Sequence, residues 1–276
     1  MQGSPKAHTA GARAVTTNQT DIYDKLDEVV RKYASTEYLR PIADHTRTAF
    51  AEAEKFVEEF YGGADCDNDL SSRADRTTHK VILDSGCGTG ESTVNLALAH
   101  PDVPVIGIDK SVARLTKAGG AALHNTEING ATALPPNAFL VRAELLDFWR
   151  LALDEVQAGR WHIPYHALYY PNPWPKQSEA TRRFHLHPIF PTLLQLGDTI
   201  ELRTNWEIYA REFAEAASIA NEFEPAIPAL GRNDNAGNKA AISISCEAFE
   251  PERPITAFER KYKEARQQLW RVIIQK

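Results

Sequence analysis

Most of the chemistry legible in this chain sits in one stretch, Val81-Ile82-Leu83-Asp84-Ser85-Gly86-Cys87-Gly88-Thr89-Gly90-Glu91. It has a short apolar run, an acid, and glycines at alternate positions ahead of a helical segment. Such a backbone can turn tightly and lie bare against a ligand, because glycine puts no Cβ in the way. A dinucleotide fingerprint needs G-x-G-x-x-G. Here the spacing is G-x-G-x-G, and Glu91 at the start of the helix would repel a pyrophosphate. No G-K-S/T follows, so a P-loop is excluded as well. A second acid, Asp109, closes the apolar run Val105-Ile106-Gly107-Ile108, 25 positions after Asp84. An acid there is placed to accept ribose hydroxyls, although capping the next helix would also explain it. Glu144 follows the run Phe139-Leu140-Val141, with Asp147 one helical turn further on. Last comes Tyr169-Tyr170-Pro171-Asn172-Pro173-Trp174-Pro175-Lys176. Its closely spaced prolines make a stiff loop, able to hold an acceptor and an aromatic face in place.

These groups need a scaffold that brings strand ends together. Apolar runs at 81–83, 103–108, 139–141, 166–170, 199–204, 240–246 and 269–274 predict seven strands, and helical spacing predicts helices over 91–100, 111–124, 188–196 and from Trp206 onward. Strands alternating with helices imply an α/β fold, a doubly wound and mostly parallel sheet whose ligands bind at the carboxyl ends of the strands. Ahead of it, Ile22, Leu26, Val29, Val30 and Tyr33 mark one helix, and Phe50, Ala53, Phe56, Val57 and Phe60 a second that ends at Gly62-Gly63. The expected organisation is a disordered polar tail over residues 1–20, a helical extension over 21–74 and a catalytic domain over 75–276.

The D-x-G-x-G-x-G spacing resembles motif I of class I S-adenosylmethionine-dependent methyltransferases. That resemblance implies a Rossmann-like fold with Asp84 holding the cofactor's cationic amino group, Gly86 and Gly88 lying under it, Asp109 on the ribose and Glu144 on the adenine. Further segments narrow the match. Tyr-Pro-Asn-Pro-Trp-Pro-Lys followed by Arg182-Arg183, then Thr204-Asn205-Trp206-Glu207-Ile208-Tyr209, then Thr256-Ala257-Phe258-Glu259, together resemble the tRNA (guanine-N7)-methyltransferase family over about residues 80–274. Position by position, the resemblance places Asn172 at the catalytic site and Lys176, Asn205, Thr256 and Glu259 on the substrate. Asn stands at 172 and 205 where the family has Asp. An amide both donates and accepts and carries no charge. Asn-Pro before an aromatic also resembles the N-P-P-Y/F loop of methyltransferases that act on planar amino nitrogens. Exocyclic-amine methylation, a small-molecule acceptor and a non-catalytic cofactor- or RNA-binding subunit therefore stay open beside guanine N7. Trp174 is a candidate stacking surface for a base.

Composition bounds the rest. The 276 residues carry 31 basic and 37 acidic side chains, a formal net charge of −6, and no apolar run long enough to span a bilayer. The global balance disfavours a nucleic-acid binder. Only residues 253–276, with seven basic side chains against Glu259 and Glu264, offer a local basic patch. Three scattered cysteines fit a reducing, cytoplasmic setting. No metal site is expected: Asp65-Cys66-Asp67-Asn68-Asp69 has Leu70 where a calcium loop needs glycine, and His185 and His187 lack ligand spacing. Those histidines flank Arg182-Arg183, where protonation would add positive potential near a phosphate. The expected partner is tRNA or another structured RNA, with no membrane, and a protein partner could dock on residues 21–74.

Overall fold

The computed structural model describes residues 14–62, 78–116, 134–222 and 242–276. The apolar runs become the strands of a seven-stranded sheet. Its members are β2 (Ile82–Ser85), β3 (Val105–Asp109), β4 (Ala138–Arg142), β6 (Tyr165–Tyr169), β7 (Thr199–Thr204), β8 (Ser243–Phe249) and β9 (Leu269–Gln275), in the order β4-β3-β2-β6-β7-β9-β8. The first five strands in that order are parallel, and β9 runs antiparallel between β7 and β8. Short β1 (His79–Lys80) and β5 (Trp161–His162) pair beside it. Every residue of β2 and β3 is buried, as strands covered on both faces require.

From β2 the chain steps outward to β3 and β4, then returns across β2 to β6 and β7. The order reverses between β2 and β6, so a crevice opens at their carboxyl ends. Helix α3 (Glu91–Ala99) packs close over β3 because Gly107 leaves room. A Cβ there would sit 2.2 Å from Thr93 Oγ1 and 2.5 Å from Leu140 Cδ2.

The remaining helices are α1 (Leu26–Ala34), α2 (Asp44–Gly62), α4 (Val112–Leu115), α5 (Leu145–Gln157), α6 (Phe190–Gln195), α7 (Glu207–Glu222) and α8 (Ala257–Glu264). Two of them, α5 and α8, are additions to the elements expected from periodicity. Helix α1 starts at Leu26 rather than residue 22, because the residues before it run along the protein as a non-helical segment. The second half of the helix expected over 111–124, the first residues of the strand expected from 240, and the Asp65–Asp69 run all lie outside the described residues.

Both helices of the expected extension share the core of the sheet. Ala49, Phe50, Ala53 and Val57 of α2 are buried. The Phe50 ring centroid lies 4.8 Å from that of Phe148 on α5, and Phe56 stacks at 5.0 Å on Phe139 of β4. Leu26 and Val30 of α1 are buried in the same cluster, where α1 meets α7. The apolar stripes of both helices are thus covered within the chain, each buried large side chain contributing roughly 1.5–3 kcal/mol. Under the sheet, Trp149 Nε1 donates to Ser85 Oγ (2.8 Å), and Ser85 Oγ pairs with His166 Nε2 (2.7 Å). His166 Nδ1 meets the Leu196 carbonyl at 2.8 Å. A carbonyl can only accept, so Nδ1 carries the proton and the hydroxyl of Ser85 donates to Nε2. Among the described residues no helix is long and apolar enough to cross a membrane, and no cluster could hold a metal ion.

Candidate active site

Asp84, next to last in β2, is 1% exposed. Its Oδ2 accepts from Ser92 Oγ and Thr93 Oγ1, each at 2.6 Å, both in the first turn of α3. Its Oδ1 is buried with no partner. Burial pushes the carboxyl up to about 6, against the pull of the two hydroxyls and with a further push from Asp109. Two residues on, Gly86 and then Gly88 take φ of +80° and +61°, and a Cβ at either would meet nothing within 4 Å. An orphaned, nearly inaccessible acid beside a bare and open glycine turn is what a cationic ligand group needs. Alanine would strain both glycine positions by about 1–2 kcal/mol.

Asp109, 4% exposed, closes the other side of the turn. Its Oδ2 accepts the Gly88 N–H at 3.0 Å and meets Arg114 Nη1 at 3.3 Å, while Oδ1 accepts the Ser111 N–H at 2.7 Å. An ionised carboxylate offers about four acceptor sites, so capacity remains on Oδ1. Glu144 precedes α5 and is half-buried, whereas Asp147 is buried with Oδ2 on the Ala43 N–H at 3.0 Å. Asp147 is thus committed to the start of α2, and Glu144 is the acid left at this strand end. The thiol of Cys87 is pushed well above its ordinary value, first by burial and then by Asp84 and Asp109, so it packs rather than attacks.

Across the crevice, β6 runs into the proline loop. Tyr170 and Trp174 hold left-handed φ of 54° and 44°. Asn172 is exposed, and its Oδ1 accepts the Trp174 N–H at 3.3 Å. One face of the Trp174 ring is taken by the Arg182 guanidinium, 4.5 Å from its centroid. Lys176 is exposed just before a 3-10 turn, Gln177–Arg182.

The other expected substrate residues are brought to the same edge, but their polar atoms are engaged. Thr256 Oγ1 accepts the Glu259 N–H at 3.0 Å, capping α8, and Glu259 Oε2 accepts the N–H of Ile255, the residue before the cap, at 2.7 Å, a variant of the capping box. Glu259 is fully buried and also holds Arg203 Nη1 at 2.8 Å. This cap lies against α3, with Asn95 Nδ2 donating to the Ile255 carbonyl at 3.0 Å and Arg260 paired with Glu91. Asn205 Nδ2 donates to Gln267 Oε1 at 3.2 Å.

One expectation is overturned. His185 is 1% exposed, bonded to Glu212 at 2.9 Å, and its imidazole is pushed below the ordinary range by burial. It is enclosed with Glu212 and does not reach the surface where a phosphate would lie. Ser92 and Thr93, which orient Asp84, and Arg203, which ties β7 to α8, went unread. The first two could have been found as hydroxyls in the turn after the glycines.

The sequence profile of a family described as putative methyltransferase matches residues 78–272. The tRNA (guanine-N(7)-)-methyltransferase of Acinetobacter baylyi is 28% identical over 229 residues, covering 80% of this chain and 78% of that protein. The enzyme of the same name from Saccharophagus degradans is 27% identical over 70% of this chain and 74% of its own length. That from Streptomyces avermitilis is 29% identical over 56% of this chain, which spans about half (50%) of its length. A solved antibiotic-related methyltransferase superposes with a TM-score of 0.46 at 15% identity, over 88% of this chain and 97% of its own. With the profile running from the strand pair at β1 into β9, across the sheet and its glycine turn, this chain belongs to the putative methyltransferase family.

Proposed function

We propose that the chain transfers a methyl group from S-adenosylmethionine to N7 of a guanine in tRNA. The observation that carries this reading is the unpartnered, buried Oδ1 of Asp84 beside the open turn at Gly86 and Gly88. The cofactor supplies an electrophilic methyl on a sulfonium centre. Asp84 takes its ammonium group by a charge-assisted bond, Gly86 and Gly88 lie against its body, Asp109 accepts from its ribose and Glu144 from its adenine amine. The Asn172 loop presents the acceptor, with Lys176, Asn205 and the Thr256–Glu259 turn on the substrate side. Most of the acceleration then comes from holding the nitrogen in line with the methyl carbon. Exposed Lys176, Arg182, Arg253, Lys261 and Arg266 supply phosphate contacts. The substrate class is supported by the names of the relatives. A cytoplasmic setting fits the free thiols of Cys87 and Cys246.

A second reading has its own observation. Asn172 is an exposed amide where a carboxylate would stabilise the charge that develops on N7. An amide oxygen serves equally well to accept a hydrogen bond from an exocyclic amine. Labelled cofactor with bulk tRNA and nucleoside mass spectrometry separates the two, with N7-methylguanosine expected. An N-methylated exocyclic amine moves the assignment to the second reading. Label only in a metabolite extract points to a small acceptor, and cofactor binding without transfer to a non-catalytic subunit. Asn172→Asp raises N7 transfer if the missing charge limits it; an unchanged or lower rate means the amide suits another acceptor.

A further inference from the structure

The second arginine of the Arg182-Arg183 pair is fully buried, and so is its partner Glu212 on α7, with Arg183 Nη1 to Glu212 Oε2 at 2.6 Å. Taking two charges out of water costs several kcal/mol per ion unless every remaining donor and acceptor is satisfied. Here the remaining bonds converge on one surface loop. Arg183 Nη2 donates to the Trp174 carbonyl at 2.9 Å, and Nε is shared between the carbonyls of Pro173 (3.2 Å) and Trp174 (3.3 Å). The network is completed from the far end of the chain. Gln19 Oε1 accepts from Arg183 Nη2 at 2.8 Å, and Gln19 Nε2 donates to Glu212 Oε1 at 2.6 Å, beside the Tyr23 N–H at 2.8 Å. The neighbours of Gln19 grip the same loop, Thr17 Oγ1 donating to the Pro175 carbonyl at 2.5 Å and Asn18 Oδ1 accepting the Gln177 N–H at 3.3 Å.

The Trp174 residue is therefore held at both ends, its carbonyl by Arg183 and its N–H by Asn172 Oδ1. It is also held in a left-handed conformation that a tryptophan does not choose unaided. We propose that Gln19 and Arg183, anchored by Glu212, are positioning residues for methyl transfer: the segment 17–23 straps the acceptor loop and sets the orientation of Asn172 through Trp174. Arg183 is inaccessible to RNA, so it acts through the loop and not on a phosphate. The inference rests on Asn172 presenting the acceptor, and its test separates the two ideas.

Gln19→Ala removes the strap's central contact and leaves Glu212 paired with Arg183. Amide exchange across residues 172–177 should quicken at least tenfold, with exchange at 84–91 and the calorimetric affinity for S-adenosylmethionine unchanged. At saturating tRNA the single-turnover rate should fall tenfold or more, because misplacing a reacting group by about 1 Å can cost as much as a hundredfold. Thr17→Val should give a milder form of the same pattern and Thr17→Ser should restore it, which a general loss of stability would not do. Unchanged loop exchange in Gln19→Ala overturns the strap. A loosened loop with an undiminished rate overturns its catalytic role. If the wild-type protein transfers nothing to RNA, the functional reading falls while the loop exchange still reports on the strap.

Discussion

Asp84 and His166 are shifted in opposite directions and pull stability opposite ways across the same few pH units. Burial pushes the Asp84 carboxyl up to about 6, so on acidification the folded protein takes up a proton before the unfolded chain does and gains stability. Burial pulls His166 down to about 4, so the unfolded chain takes up its proton first and the fold loses stability over the same window. Each effect is worth roughly 3 kcal/mol, and between about pH 6 and 4 they largely offset. Asp84→Asn removes one side of this balance. Thermal melts of the apo variant should show it about 1–3 kcal/mol more stable than wild type at pH 8, and more steeply destabilised on going from pH 6 to 4.5. On the role proposed for Asp84, the same change deletes a charged bond to the cofactor, so calorimetry should show affinity reduced about 10- to 100-fold. In the wild type, affinity should rise as pH passes upward through about 6, where Asp84 ionises. A flat profile would remove Asp84 from the ammonium.

Among the elements, the glycine turn and the α8 cap make separate predictions. Gly88→Ala forces a left-handed φ on a residue with a Cβ, costing about 1–2 kcal/mol, and puts a methyl into the open cradle. Its melting temperature should drop a few degrees while cofactor affinity falls by at least tenfold. Thr256→Ala should cost about 1 kcal/mol through the lost cap, read as a lowered denaturation midpoint. The central strands were legible because apolar runs such as 105–108 can only be buried. Helix α8 was not, because Ala257–Glu264 carries Phe258 and Tyr262 among charges and shows no apolar stripe. Its start was written plainly as T-x-x-E, yet those two residues read as substrate contacts. A capping box and a binding pair have the same spacing, and only the bonds of Glu259 to Ile255 and Arg203 show the structural half of the role.

At the scale of the whole molecule, the polar network is what sequence could not reveal. Gln19, Arg183, His185 and Glu212 each look like solvent-facing residues in their own segments. They become a buried cluster only once segments up to 193 positions apart meet. Glu212→Gln leaves the Arg183 guanidinium buried without its counter-charge, and chemical denaturation should show a loss of about 3–5 kcal/mol. That variant tests the fold, whereas Gln19→Ala tests the loop.

The strap also orders events in time. Domains assemble as the ribosome delivers them, and the sheet edge carrying Asp84, Asp109 and Glu144 is complete in sequence well before residue 212. The segment 17–23, made before the sheet, must wait for one of the later helices before it can lock. A growing chain arrested before α7 is thus expected to hold most of the proposed cofactor-binding strand ends and no shaped proline loop, so that methyl transfer switches on late in synthesis.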